Sequence, residues 1–168
     1  MKSLVAYFSR AGYNWVNGEK KELQKGNTQI LAEMIASICK GDLFSIEMET
    51  PYSFDYDTCC VQAHMDITKN YHPTLVDKEL DLDSYDVIYL GFPIYWGTFP
   101  MAIFSFIEKY HLHNKVIYPF ITHEGSGQAS SISMLKKACS DSEIKKPFIA
   151  VGSFVSSYQN QLEEWMRT

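Results

Sequence analysis

Four short runs of almost unbroken apolar character punctuate the chain: "SLVAYF" at Ser3–Phe8, "DVIYLGF" at Asp86–Phe92, "KVIYPFI" at Lys115–Ile121 and "PFIAVGSF" at Pro147–Phe154. Runs of this length, rich in β-branched and aromatic residues and lacking polar alternation, predict strands covered on both faces, as in a parallel sheet. A fifth run, "DLFSIEM" at Asp42–Met48, alternates as an edge strand would. Segments of helical period separate the strands. In Asn27–Lys40, residues Ile30, Leu31, Met34, Ile35 and Ile38 form one apolar face. Phe99–Tyr110 has Pro100 near its start, where a helix tolerates proline. Ser130–Ser140 and Ser156–Met166 each open on serines suited to capping, and Tyr56–Tyr71 is a weaker helical segment. The alternation of strand and helix predicts an α/β fold, a three-layer, doubly wound parallel sheet. There is no repeat, linker or low-complexity tract, so residues 1–168 are expected to form one domain.

Composition narrows the partners. Apolar residues make up 46% and charged residues 21%, which excludes a disordered chain. The net charge is -5 with no basic stripe, so nucleic acid is not an expected partner. The opening "MKSLVAYFSR" is too short an apolar run for a secretion signal, and no stretch approaches a membrane span. A cytoplasmic protein with no membrane partner is expected. Cys39, Cys59, Cys60 and Cys139 show neither CxxC nor metal spacing and read as idle thiols, and His111 and His113 are poorly spaced for a helical metal pair.

In a doubly wound sheet, ligands bind beyond the carboxyl ends of the strands where strand order reverses. Three of the loops there are unusual. After the first strand, Ser9 leads through a long loop to "GNT" (Gly26–Thr28) at a helix start, where free N–H groups and the helix dipole suit a phosphate. Ser9, Asn27 and Thr28 add neutral donors, and Arg10 either adds charge or faces solvent. Neither a P-loop nor a dinucleotide fingerprint is present, which points to a bound cofactor rather than phosphoryl transfer. After the third strand, "PIYWG" (Pro93, Ile94, Tyr95, Trp96, Gly97) puts two aromatics where they can either stack on a planar ring or close the core. After the fourth, "THEGSG" (Thr122, His123, Glu124, Gly125, Ser126, Gly127) has glycines that let backbone N–H groups approach a ligand. It lacks the G-x-S-x-G spacing of a serine hydrolase, and no residue here is singled out as catalytic.

With these motifs in order, from "YFSRAG…KGNT" through "YDVIYLGFPIYWGTFP" to "KVIYPFITHEGSG", the chain resembles the flavodoxin-like FMN-binding family over nearly its whole length. The resemblance implies five parallel strands in order 2-1-3-4-5 with FMN at the switch point. Ser9, Arg10, Ala11, Asn27 and Thr28 would match the phosphate loop. Residues 93–97 and 122–127 would clasp the isoalloxazine: loop amides on its pyrimidine carbonyls, Tyr95 or Trp96 on its face, and Gly97 near N5. It implies electron transfer with a redox partner protein, or alternatively reduction of a quinone-type small molecule by NAD(P)H. A protein-binding module without cofactor is the contrasting class. A receiver-type phosphorylation domain is disfavoured, because "AYFSR" lacks acidic residues at the first strand's end. Two departures stand out. Tyr13–Lys25 are inserted in the phosphate loop, and Thr50–Leu82 is long enough to cover a flavin edge or form a homodimer surface.

Overall fold

The computed structural model describes residues 1–168. In chain order its elements are β1 (Ser3–Tyr7), β2 (Gly12–Val16), β3 (Glu19–Leu23), α1 (Asn27–Cys39), β4 (Asp42–Ser45), α2 (Tyr56–Thr68), β5 (Val87–Pro93), α3 (Ala102–Lys109), β6 (Val116–His123), α4 (Ser131–Ala138), β7 (Glu143–Ile144), β8 (Phe148–Val151) and α5 (Gln159–Trp165). The main sheet is parallel with order β4-β1-β5-β6, and β7 and β8 both pair with β6. The expected five-strand order therefore holds, with the fifth strand in two pieces.

The register explains that break. Ile117 pairs with Ile144, but Phe120 pairs with Phe148, so one extra residue lies on the outer strand between them. Pro147 falls opposite Pro119 there. Neither proline has an N–H to give, so the ladder cannot run through this level and the outer strand bulges. Beyond Val151 the outer strand has no partner, because β6 itself ends at His123. The chain turns instead into a 3-10 segment at Gly152–Ser157, and the expected strand over 147–154 stops early.

The apolar runs are buried on both faces because their alternate residues serve two cores. Leu4, Ala6 and Phe8 of the first run face one cluster with Ile88, Leu90 and Phe92, under α3 and α4. Val5, Tyr7 and Tyr89 face the other, under α1 and α5 through Leu31, Ile35, Leu162 and Trp165. Each fully buried side chain of this size contributes about 1.5–3 kcal/mol, so the inner strands hold the frame on which the loops rest.

The serines expected to cap helices do other work. The Ser130 hydroxyl donates to the Gly97 carbonyl (2.7 Å), and Ser156 lies in the 3-10 turn ahead of α5. The two insertions are ordered. Residues 12–23 form the antiparallel hairpin β2–β3, with Asn17 (φ 50°) and Gly18 (φ 83°) at its tip. Past β4 the chain pairs back with residues 74–76, through Glu49 N–H to the Thr74 carbonyl and Val76 N–H to the Glu47 carbonyl. Between these stretches lies α2, capped by Asp55, whose carboxylate accepts from Thr58 N–H at 2.9 Å. No helix is long and apolar enough to cross a membrane.

Candidate functional site

The first loop is built around a close approach. Gly26 heads α1 with extended backbone, and a Cβ there would collide with Ser9 Oγ and the Arg10 carbonyl. That contact lets Ser9, from the other end of the loop, cap the helix: its Oγ accepts Gln29 N–H at 3.1 Å. No acidic residue occupies the first turn and Gly26 offers no side chain, so the helix's positive end stays available to an anion. Thr28 is buried, and its hydroxyl pairs with that of Thr122 at 2.7 Å. Arg10 reaches away from the helix. Its guanidinium donates to the carbonyls of Ser53 (2.8 and 3.1 Å), Phe54 (2.8 Å) and Tyr13 (2.6 Å), tying the hairpin to the chain ahead of α2.

The second loop is a tight turn. Tyr95 N–H donates to the Thr98 carbonyl at 2.8 Å and Thr98 N–H returns to Tyr95 at 3.2 Å. Trp96 (φ 53°) and Gly97 (φ 76°) between them are both left-handed, which glycine accepts freely and tryptophan does not. Gly97 is held by α4, since its carbonyl accepts from both Ser130 N–H (2.9 Å) and Ser130 Oγ (2.7 Å). The two aromatics part company. Tyr95 leans inward, edge-on to Phe8 at 6.2 Å and beside Tyr52 at 6.4 Å, and burial holds its hydroxyl far above the usual phenol range. Trp96 is 58% exposed, donates its indole N–H to the Cys60 carbonyl at 2.9 Å and lies 4.6 Å from the His64 ring.

In the third loop, His123 Nδ1 accepts the N–H groups of both Gly125 (2.9 Å) and Gly127 (3.0 Å). Those amides, expected to face a ligand, are instead satisfied within the loop. Glu124 turns toward the hairpin and the 3-10 segment after β8. Its Oε2 accepts from Ser153 Oγ (2.5 Å) and from Asn17 N–H (3.3 Å) at the hairpin tip, while its Oε1 is buried without a partner.

The three loops meet on one cavity of about 450 Å³ at the carboxyl edge of the sheet. Ser9, Arg10, Asn27 and Thr28 line it from the first loop, Pro93 to Trp96 from the second, and Thr122, His123, Glu124 and Ser126 from the third. Ala11, Gly97, Gly125 and Gly127 stand outside the lining and shape the turns around it. Cover from the segment 50–82 was expected, but the residues of the second wall were not: Asn14 and Trp15 on the hairpin and Tyr56, Cys59, Cys60 and Ala63 on α2, with Gly152 joining from just after β8. Trp15 is 43% exposed and lies 6.0 Å from the Tyr56 ring. The signal for the hairpin was present, because "WVNGEK" carries the Asn-Gly dipeptide of a two-residue turn. Nothing in α2's weak apolar pattern marked the face that lines a cavity.

Comparison with known proteins agrees with this architecture. A crystal structure of a candidate flavoprotein from Bacteroides eggerthii DSM 20697 is 27% identical, with a TM-score of 0.73 over 96% of this chain and 97% of its own. A second, from Bacteroides uniformis ATCC 8492, is 24% identical with a TM-score of 0.78, covering 99% and 98%. A flavoprotein from Lactobacillus acidophilus NCFM, crystallised in complex with FMN, is 21% identical with a TM-score of 0.69, covering 94% and 97%. No curated protein matches the sequence. The family described as flavodoxin matches residues 2–168. With the sheet order and the three-loop cavity, that match over almost the whole chain places the protein: it belongs to the flavodoxin family.

Proposed function

We propose that this protein is a redox flavoprotein that carries electrons on non-covalently bound FMN. The observation that carries the reading is the meeting of three strand-end loops on one cavity that has aromatic walls and a helix N-terminus whose one side-chain cap, Ser9, takes only the Gln29 amide.

The residues present fit such a group. The α1 amides at Asn27 and Thr28, with Ser9 beside them, form a neutral donor set suited to a phosphate. The partnerless, buried Glu124 Oε1 calls for a hydrogen-bond donor, and the hydroxyls of a ribityl chain are donors of that kind. Trp96 and Trp15 offer exposed indoles for a flat ring. When bound, FMN supplies the chemistry, taking up and releasing one or two electrons. The chain's own task is to hold the ring, exclude water from its face and set its electrostatic surroundings. The proposed role of each lining residue follows from its place: Ser9, Asn27 and Thr28 at the phosphate, Glu124 at the polyol, Trp96 at the ring. The four bonds from Arg10 to backbone carbonyls favour a role in loop support over the phosphate, and the contacts of Tyr95 with Phe8 and Tyr52 favour packing beneath the second loop over the ring face.

A cavity of about 450 Å³ lies within the range for single small-ligand sites, and the bulky Tyr95–Trp96 turn at its edge favours a covered ring and hence a carrier. A redox protein is then the partner, and an NAD(P)H-dependent reductase of quinone-type compounds is the alternative. The visible spectrum of the purified protein, with FMN titration of the stripped protein, tests the cofactor. A colourless protein that takes up no FMN overturns the reading. Rapid anaerobic mixing with NADH and NADPH divides carrier from reductase, since prompt bleaching by either would reject the pure carrier. Asn27→Ala should weaken FMN about tenfold while leaving riboflavin little changed; equal losses for both would argue against a phosphate at α1.

A further inference from the structure

The Gly125 and Gly127 amides converge on one atom, His123 Nδ1, at 2.9 and 3.0 Å. A nitrogen that accepts two N–H groups carries no proton. The ring is therefore neutral, and its single N–H is on Nε2, on the side of the ring away from the loop. His123 also lines the cavity, while neither glycine does. Resting on the FMN reading, we propose that His123 is a positioning residue: it folds the 124–127 loop around Nδ1 and offers its Nε2–H to a carbonyl acceptor on the flavin ring, in place of the glycine amides.

The arrangement has a chemical consequence. A protonated imidazole has no acceptor, so protonation removes both loop hydrogen bonds together. Burial lowers the His123 pKa from its ordinary 6.5, and the neighbouring Glu124 carboxylate acts in the opposite sense. The other ionisable groups on this cavity are Arg10 in the loop after β1, Tyr95 in the second loop, and Tyr56, Cys59 and Cys60 on α2. Arg10 turns its charge to the carbonyls of Tyr13, Ser53 and Phe54. The sign follows. A histidine whose folded pKa is depressed keeps the loop fully ordered above 6.5, and that order is lost as pH falls through the folded-state value.

The test uses the full chain, with and without FMN, as wild type, His123→Ala and His123→Asn. In the ligand-free protein, ¹⁵N NMR should find His123 as the Nε2–H tautomer. Amide exchange at Gly125 and Gly127 should be at least about tenfold slower in wild type than in His123→Ala at neutral pH, with the difference vanishing in acid. Asparagine can accept the same amides in an Asx-type turn without titrating, so His123→Asn should keep the protection and make it independent of pH. Affinity for lumiflavin, which has the ring but no phosphate, should fall about tenfold in His123→Ala, partly recover in His123→Asn, and decline in acid only in wild type. An Nδ1–H tautomer, or glycine amides exchanging equally fast in wild type and His123→Ala, overturns the loop assignment even if FMN binds tightly. Protected amides with lumiflavin affinity unchanged in His123→Ala overturn the donor assignment. If no form binds FMN, the cofactor reading and the donor role both fall, and the exchange data still decide the loop role alone.

Discussion

Replacing Arg10 separates two ways an arginine can serve this site. Its side chain lies at the cavity, where a phosphate would welcome a positive charge, yet all four of its hydrogen bonds end on backbone carbonyls. Arg10→Met removes the charge and the fork at similar length. The paired bonds to Ser53 are part-buried, and a charged hydrogen bond contributes about 1.5–3 kcal/mol. The bonds to Phe54 and Tyr13 are solvent-exposed and add little. The expected loss is about 2 kcal/mol, or a fall in Tm of about 4–8 °C for a chain of this size. Lysine restores the charge but not the fork, because one ammonium cannot span three carbonyls, so Arg10→Lys should recover less than half of the stability. Thermal and urea unfolding measure this, and parallel titrations with FMN and riboflavin measure the site. If Arg10 acts through the loop, both ligands weaken together in both variants. A loss of FMN affinity more than tenfold beyond that of riboflavin in Arg10→Met, about 1.4 kcal/mol, restored in Arg10→Lys, would instead put the Arg10 charge at the phosphate.

Three further outcomes are expected. Thr28→Val or Thr122→Val alone strands a buried hydroxyl and should cost about 1–3 kcal/mol, whereas the double variant should recover much of it; additive losses in urea would show that the 2.7 Å pair is not coupled. Trp96→Gly puts a residue that tolerates φ near 53° into the turn, so stability should change little while flavin affinity falls about two- to tenfold; unchanged affinity and unchanged reduction potential would remove Trp96 from the ring face. Burial pushes the Cys59 thiol up to about 11 and the Cys139 thiol to about 12. At about pH 8 roughly a thousandth or less of each is thiolate, so both should react with a disulfide reagent far more slowly in the folded protein than in urea. Equal rates in the two states would contradict the burial.

Some of this was legible because it depends on local pattern. A run such as "DVIYLGF" has no polar face to give to water, so a doubly covered strand is the only economical place for it, and the carboxyl-edge rule then points to residues 93–97 and 122–127. What stayed hidden depends on register and on direction. That Pro147 falls opposite Pro119 appears only once β6 and its neighbour are paired, so the broken outer strand could not be foreseen from apolar content. Ser9 and Gly26 are far apart in sequence, and their contact makes the first a cap for the second's helix. The pair of aromatics at 95 and 96 looked equivalent. A left-handed turn sends one inward against Phe8 and Tyr52 and the other out against α2.

The insertions give the site its individual character. A sheet with three loops supplies a helix N-terminus and one wall. The hairpin and α2 add the opposite wall through Trp15 and Tyr56, and the hairpin tip reaches Glu124 and Ser153 across the mouth. Glu124 thereby joins two segments that have no sheet contact: one oxygen serves the hairpin tip and Ser153, and the other waits, buried, beside the cavity. A donor that binds Oε1 removes the cost of an unpaired buried acceptor, about 1–3 kcal/mol, and that gain is available only while the hairpin tip and Ser153 hold the carboxylate in place. Ligand binding and hairpin docking should therefore reinforce each other. Glu124→Gln keeps the shape but leaves one acceptor oxygen and turns the other into an NH2 donor, so amide exchange at Asn17 and titration with FMN should show the hairpin loosened and the flavin weakened together.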